Sequence, residues 1–170
     1  MSDVLSKEQR HRCMSNIRNK NTKPEHMVRK YLFSQNFRFR INVTSLPGKP
    51  DIVLRKYHTV IFINGCFWHG HDNCKYGHLP KSNMEFWKVK IAENIERDKY
   101  NISTLKKQGW NVIVIWNCEI RNIKLQSERL SKLSLELKNI TNFNCKTSSE
   151  IKKFPGGENV GKIAPSKKPN

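Results

Sequence analysis

The sequence predicts an α/β domain in which helices flank a small mixed β-sheet. Residues 59–64 form a β-branched run and residues 112–116 a run of Val and Ile, the pattern of strands buried on both faces. The longest helical pattern of the chain, residues 85–108, lies between them. An N-cap signature at Thr22 opens another helix ahead of the first strands. Helix, strands, helix, strand, helix in that order is the arrangement of an α/β layer fold.

Ser6-Lys7-Glu8-Gln9 has the form of a capping box and predicts a short basic helix over residues 7–18. Asn19-Lys20-Asn21 breaks it. Thr22-Lys23-Pro24-Glu25 then starts a second helix, with Pro24 in its first turn and its end near Gln35-Asn36. A strand is expected over residues 37–43, a turn at Leu46-Pro47-Gly48-Lys49-Pro50, and a second strand over residues 51–54. The run from Thr59 to Asn64 is the expected central strand. Residues 65–84, rich in Gly, His, Asn and Pro, read as a long ordered loop of functional type. Gly109 closes the long helix, and a last helix is expected over residues 127–138. From Asn142 the chain turns polar, so the reading is a domain over residues 1–141 and a flexible basic tail over residues 142–170.

Lys and Arg number 32 against 14 Asp and Glu, a formal net charge of +18. Such a surplus on a chain of 170 residues favours a polyanionic partner, nucleic acid ahead of membrane. No run approaches the roughly 20 apolar residues of a membrane helix. The N-terminus lacks the apolar core of a signal peptide, so an intracellular protein without membrane partners is expected. Inside a cell disulfides are rare and clustered cysteines more often bind metal, and five cysteines, an odd number, weaken a disulfide framework further.

Cys66, His71 and Cys74 are spaced Cys-x4-His-x2-Cys, and Cys118 follows the strand that ends at Trp116. Three close ligands and one distant ligand at a strand end can close a tetrahedral structural zinc site that ties the loop to the sheet. His69 and His78 are alternative ligands to His71. Free thiols with a solvent histidine are the plainer reading of the same residues. A zinc ion with four protein ligands has no open position, so chemistry has to come from elsewhere.

Asp51, at the head of a strand, could hold Mg²⁺ and with it a scissile phosphate, although a turn aspartate is the commoner explanation of Pro-Asp. Asp98 is more telling. On the long helix Trp87, Ile91, Ile95, Ile102 and Leu105 share a face with it, and a carboxylate on an apolar stripe needs a partner or a metal. Glu25 aligns with Val28 and Leu32 but also stands at the capping-box position after Thr22. His69, if His71 belongs to zinc, is free to act as a base. Phe67-Trp68 and Phe86-Trp87 are adjacent aromatic pairs in a basic protein. Such pairs can insert between bases, or pack in a core, as expected for Phe86 at least; Met14 on the N-terminal helix has the same two readings.

Taken together, these residues resemble the very short patch repair (Vsr) DNA mismatch endonucleases. The resemblance is carried by Met14-Ser15-Asn16-Ile17, Thr22-Lys23-Pro24-Glu25 and Leu46-Pro47-Gly48-Lys49-Pro50-Asp51-Ile52-Val53. It continues through the run from Val60 to His71, with Gly65-Cys66-Phe67-Trp68-His69 at its centre, then Phe86-Trp87, Lys90-Ile91, Asn94, Arg97-Asp98, Gly109-Trp110 and Ile115-Trp116. It spans residues 7–120. It implies a restriction-endonuclease-like core and a monomer that nicks double-stranded DNA 5′ to the thymine of a T:G mismatch, the product of 5-methylcytosine deamination. A link to a DNA cytosine-5 methyltransferase follows.

By the same resemblance Asp51 and the backbone carbonyl of Ile63 would hold Mg²⁺. His69 would be the general base, with Glu25 and Asp98 holding metal-bound waters. Cys66, His71, Cys74 and Cys118 would bind Zn²⁺, with Asp72 and Asn73 as spacers. Phe67, Trp68 and Trp87 would intercalate beside the mismatch, Met14 would enter from the opposite groove, and Lys90 and Asn94 would contact bases. Some members carry a histidine where this chain has Asn64, which can orient a phosphate or water but cannot titrate. Two other readings stand beside this one: a homing-type endonuclease that cuts paired DNA of defined sequence, and a non-catalytic zinc-stabilised nucleic-acid-binding module.

Overall fold

A computed structural model gives the fold. It describes residues 6, 8–9, 12, 15–16, 20–81 and 83–150, with the backbone alone from 141 onward. Met14, most of the N-terminal basic segment and residues 151–170 lie outside the described residues. Of that segment Glu8, Gln9, Arg12 and Ser15 are helical. Its predicted capping box is made: the Ser6 N–H donates to Gln9 Oε1 (2.9 Å) and the Gln9 N–H to Ser6 Oγ (3.2 Å).

Helix α1 spans Lys23–Ser34, with Thr22 as N-cap and Pro24 in the first turn, as the sequence predicts. Strands β1 (Ile52–Leu54), β2 (Thr59–Asn64) and β3 (Asn111–Trp116) form one sheet in that order. β1 pairs antiparallel with β2, and β2 pairs parallel with β3, so the sheet is mixed and β2 is central. The parallel pair requires a crossover, which is helix α2, Met84–Lys107. Gly109, at φ +82°, ends that helix as predicted, and the Trp110 N–H returns to the Leu105 carbonyl at 3.0 Å.

Two expectations fail. Residues 37–43 do not form a strand; they contribute a single antiparallel bridge, Arg40 to Val53. Asn42 turns the chain there at φ +53°, which breaks the extended run. The last helix, α3, runs Ile123–Glu150, longer than residues 127–138 and past the polar boundary at 142. Polar composition does not end a helix when no Gly or Pro intervenes, and the first Pro after it is Pro155.

Alternation along the strands sorts the core into two layers. Ile52, Leu54, Ile61 and Ile115 face α1 and α3 and bury Val28, Leu32, Leu130, Leu133 and Leu137. Val53 and Val60 face α2 and pack on Leu105 with Phe62 and Val112. Asp51 is in step with Val53, and Asn64 with Val60 and Phe62. Both therefore belong to the face that α2 covers, where Asp98 stands.

Candidate active site and metal centre

β1 ends at Ile52 while β2 runs on to Asn64, and the splay opens a cleft of about 1010 Å³ against α2. Glu25, Asp51, Ile63, Asn64, His69 and Asp98 all line it, as does Trp68. Residues far apart in sequence thus meet on one concave surface.

Asp51 closes the open edge of β2. Its Oδ2 accepts the Ile63 N–H at 2.7 Å, a bond the β-ladder no longer supplies. Extending the β1–β2 register puts Pro50 opposite Ile63, and Pro has no N–H to offer the Ile63 carbonyl, which faces the same edge. Burial pushes the Asp51 carboxyl up to about 6 and the charge of Glu25 adds to this, while the Ile63 N–H, Arg29 and His69 oppose it. A carboxylate so held, beside the Ile63 carbonyl on the same strand edge, is a hard oxygen donor set that suits a divalent cation.

The other predicted carboxylates have partners of their own. Glu25, 4 % exposed, reaches back to the N-cap, accepting the Thr22 N–H (3.2 Å), the Thr22 hydroxyl (2.8 Å) and the Asn21 N–H (3.0 Å). It also pairs with Arg29 Nη2 at 2.6 Å. Arg29 in turn donates to Asn21 Oδ1 (2.8 Å) and lies 3.5 Å from the Asp51 carbonyl oxygen. The i,i+4 spacing of Glu25 and Arg29 was the signal for this pair, and sequence reading passed it over. Asp98 Oδ2 lies 2.5 Å from His69 Nδ1, so the apolar-stripe carboxylate has an imidazole as its partner.

The loop that presents His69 rests directly on α2. Gly70 sits at φ +57°, and a Cβ there would lie 2.5 Å from Ile95 Cδ1 and 3.0 Å from Ile91 Cγ2. Asn94, 8 % exposed, donates its side-chain amide to the Trp68 carbonyl at 3.0 Å. Phe67, Trp68 and Trp87 form an edge-to-face cluster with centroids 5.1–5.8 Å apart. Phe86, expected in the core, is 61 % exposed and meets Trp87 edge-on at 5.2 Å. Adjacent helical positions point about 100° apart, so burying the Trp87 edge turns Phe86 outward. Lys90, exposed, lies 3.6 Å from Glu93.

Three exposed cations, Lys20, Lys49 and Arg97, also line the cleft, and none has an acidic partner among the described residues. Lysines on the outer face of α2 differ: Lys88 and Lys99 pair with Glu85 and Glu96 at 2.8 Å. Lys49 is held at φ +50°, a left-handed conformation otherwise taken here mainly by Asn, directly before Pro50-Asp51.

Beyond the ends of β2 and β3 lies the cysteine cluster. Cys66, His71, Cys74 and Cys118 bring one ligand atom each to within 4.8 Å of all the others. Cys118 Sγ is 3.4 Å from His71 Nδ1, near the roughly 3.5 Å that tetrahedral zinc sets between sulfur and nitrogen ligands. His71 is thus the histidine of the set, while His69 turns to Asp98 and His78 stays exposed outside it. Its ring stacks on Trp116 at 4.0 Å and 2°. Burial and the Cys66 and Cys74 thiols push the Cys118 thiol up to about 12, whereas the Tyr76 N–H holds Cys74 below the usual thiol range. Gly77 keeps the turn tight, since a Cβ would meet the His71 carbonyl at 2.7 Å. Three crowded sulfurs with one imidazole fit a thiophilic cation such as zinc.

The family model of the DNA mismatch endonuclease Vsr matches residues 2–75. The DNA mismatch endonuclease Vsr of Escherichia coli is 41 % identical over 133 residues, covering 78 % of this chain and 85 % of that protein. The chain belongs to the Vsr family of DNA mismatch endonucleases. Membership makes it a hydrolase of the DNA endonuclease class. Two further relatives are more similar still. The type II nicking enzyme V.NmeAIP of Neisseria meningitidis is 51 % identical over 138 residues, 81 % of this chain and 98 % of that protein. The type II nicking enzyme V.XorIIP of Xanthomonas oryzae is 44 % identical over 133 residues, 78 % and 97 % of the two chains. Among the described residues of this Vsr-family chain no helix is long and apolar enough to cross a membrane.

Proposed function

We propose that this protein nicks one strand of duplex DNA 5′ to the thymine of a T:G mismatch by Mg²⁺-dependent hydrolysis. The observation that carries the reading is the His69–Asp98 pair, which opens on the same cleft as Asp51 and sits one residue from an aromatic cluster. A base, a hard-cation site and a stacking surface in one place suit hydrolysis at a locally unstacked step.

In this reading Asp98 holds the proton of His69 on Nδ1, which leaves Nε2 to take a proton from the attacking water. The Asp98 carboxylate then stabilises the imidazolium. Asp51 and the Ile63 carbonyl would hold Mg²⁺, whose charge would polarise the scissile phosphate and favour departure of the leaving oxygen. Asn64, at the end of β2, orients phosphate or water by hydrogen bonding. Glu25, engaged by Thr22, Asn21 and Arg29, keeps α1 against the acidic end of the cleft. Lys20, Lys49 and Arg97 take flanking phosphates, and Lys90 reaches towards the bases beside the wedge of Phe67, Trp68 and Trp87. Cys66, His71, Cys74 and Cys118 hold Zn²⁺ as a structural ion that orders the loop.

The names of the relatives support nicking, and that of the Escherichia coli protein supports the mismatch. A monomer with a restriction-endonuclease-like core, serving sites made by a cytosine-5 methyltransferase, completes the proposal. The test is a set of labelled duplexes, paired or with one T:G mismatch in several flanking contexts, incubated with and without Mg²⁺ beside an Asp51→Ala control. A Mg²⁺-dependent nick at the mismatched thymine, absent from the control, is expected. Cutting of paired DNA alone would point to a homing-type enzyme, and tight binding without any cut to a non-catalytic module.

A further inference from the structure

Four consecutive loop residues are held by one stripe of α2. The Phe67 ring meets Trp87 (5.1 Å), the Trp68 carbonyl accepts from Asn94 (3.0 Å) and His69 pairs with Asp98 (2.5 Å). Gly70 lies so close to Ile91 and Ile95 that a Cβ would not fit. Positions 87, 91, 94, 95 and 98 fall within about 100° of one another around a helix of 3.6 residues per turn. The helix therefore carries the stacking surface and the base at a fixed spacing.

We infer that Asn94 is a positioning residue that locks the aromatic wedge to His69, so that α2 acts as a ruler setting the nick relative to the point of insertion. This rests on the proposed roles of Phe67, Trp68 and Trp87 as the wedge and of His69 as the base. Asn94 is suited to the task because it is buried and its side-chain N–H donates to the Trp68 carbonyl at 3.0 Å. No other donor reaches the Trp68 carbonyl among the described residues. A loop peptide carries little stiffness of its own, since each residue has two soft dihedrals. Anchoring the carbonyl between Trp68 and His69 removes the freedom that would let one move without the other. Positional error of about 1 Å at a reacting group costs about 10²-fold in rate, so the lock has a kinetic value.

This differs from a role for Asn94 in touching bases, and the two separate cleanly. In Asn94→Leu the volume is kept and the donor lost. Expected with the full-length protein are mismatch-over-paired affinity within about 2-fold of wild type, single-turnover nicking slower by about 10²-fold, and nicks spread to neighbouring phosphodiesters. Gly70→Ala attacks the lock from the loop side without altering any group proposed to meet DNA, and the same spread is expected of it. Zinc content and Tm of each variant establish folding. In the free protein, ¹⁵N shifts of the His69 imidazole should move in Asn94→Leu, a readout that needs no substrate and stands even if the wild type cuts no mismatch. The inference is overturned if Asn94→Leu loses mismatch affinity while its nick stays at one position. Unchanged His69 shifts with unchanged nick position in both variants would overturn it equally.

Discussion

Asp98 grips His69 from across the loop, with its Oδ2 2.5 Å from the imidazole Nδ1. The two side chains are part-buried, at 23 % and 28 % exposure, so the pair is shielded yet reaches the cleft. Such a pair acts as a unit. His69→Ala should slow single-turnover nicking by about 10²- to 10⁴-fold, and Asp98→Ala by at least about 10²-fold, with DNA affinity little changed. The His69→Ala/Asp98→Ala double variant should be no slower than His69→Ala alone. Multiplying losses would show that Asp98 works independently of His69.

Asp51 makes the metal-free protein sensitive to pH. Its carboxyl lies at about 6 in the fold against an ordinary 3.8, so between these values the native state binds more protons than the unfolded chain. Stability from this group is present below pH about 4 and is lost as pH rises through about 6, by at most about 3 kcal/mol. Urea unfolding in Mg²⁺-free buffer, without a chelator that would strip zinc, should show this fall. Asp51→Asn should flatten it, and added Mg²⁺ should restore stability at pH 7.5 in wild type only.

Glu25 and Arg29 form a buried ion pair, 4 % and 8 % exposed. Arg29→Met strands the Glu25 charge and should cost about 3–5 kcal/mol. Adding Glu25→Gln should recover most of it, because the uncompensated charge and not the lost attraction sets the cost. A double-mutant cycle by urea denaturation measures the coupling, and additive losses would contradict the pairing.

Each ligand of the cysteine cluster should matter to folding. Cys118→Ser or Cys74→Ser is expected to lower zinc content below one ion per chain and cost more than about 4 kcal/mol, roughly 10 °C in Tm. His78→Ala should change neither quantity. Zinc assay with calorimetry decides, and retention of full zinc by Cys118→Ser would remove Cys118 from the set.

Unpaired cations at the cleft should carry the salt dependence. Lys49→Gln and Arg97→Gln should each reduce the slope of log affinity against log salt by about 0.9, one phosphate contact apiece. Lys88→Gln and Lys99→Gln, whose ammonium groups are already paired at 2.8 Å, should leave it unchanged.

Local chemistry made most of the elements legible. Thr22, Pro24 and Gly109 mark helix ends because capping is decided within a few residues, and the run from Thr59 to Asn64 forms the central strand it resembles. Spacing alone brought out the three cysteines of the cluster, with His71 as one of three candidate histidines, and put Asp98 on the wrong face for a solvated carboxylate; the fold gathers His71 with the cysteines. What residues 37–43 would do was not legible, because a strand exists only where a partner offers its edge, and here only Arg40 finds one. Nor was the length of α3, which no Gly or Pro interrupts.

The sequence by itself determined the family, most of the elements and the residue types available for chemistry, since motifs and periodicity are local properties. Only the tertiary structure decided which partner most of these groups take: Asp98 for His69, the Ile63 N–H for Asp51, the Trp68 carbonyl for Asn94. These partners are 12 or more residues apart along the chain, whereas Glu25 and Arg29 are one helical turn apart and within reach of local spacing. Hydrogen bonds of that kind depend on how helices and strands pack, and packing is set by the whole core at once rather than by any segment that contributes to it.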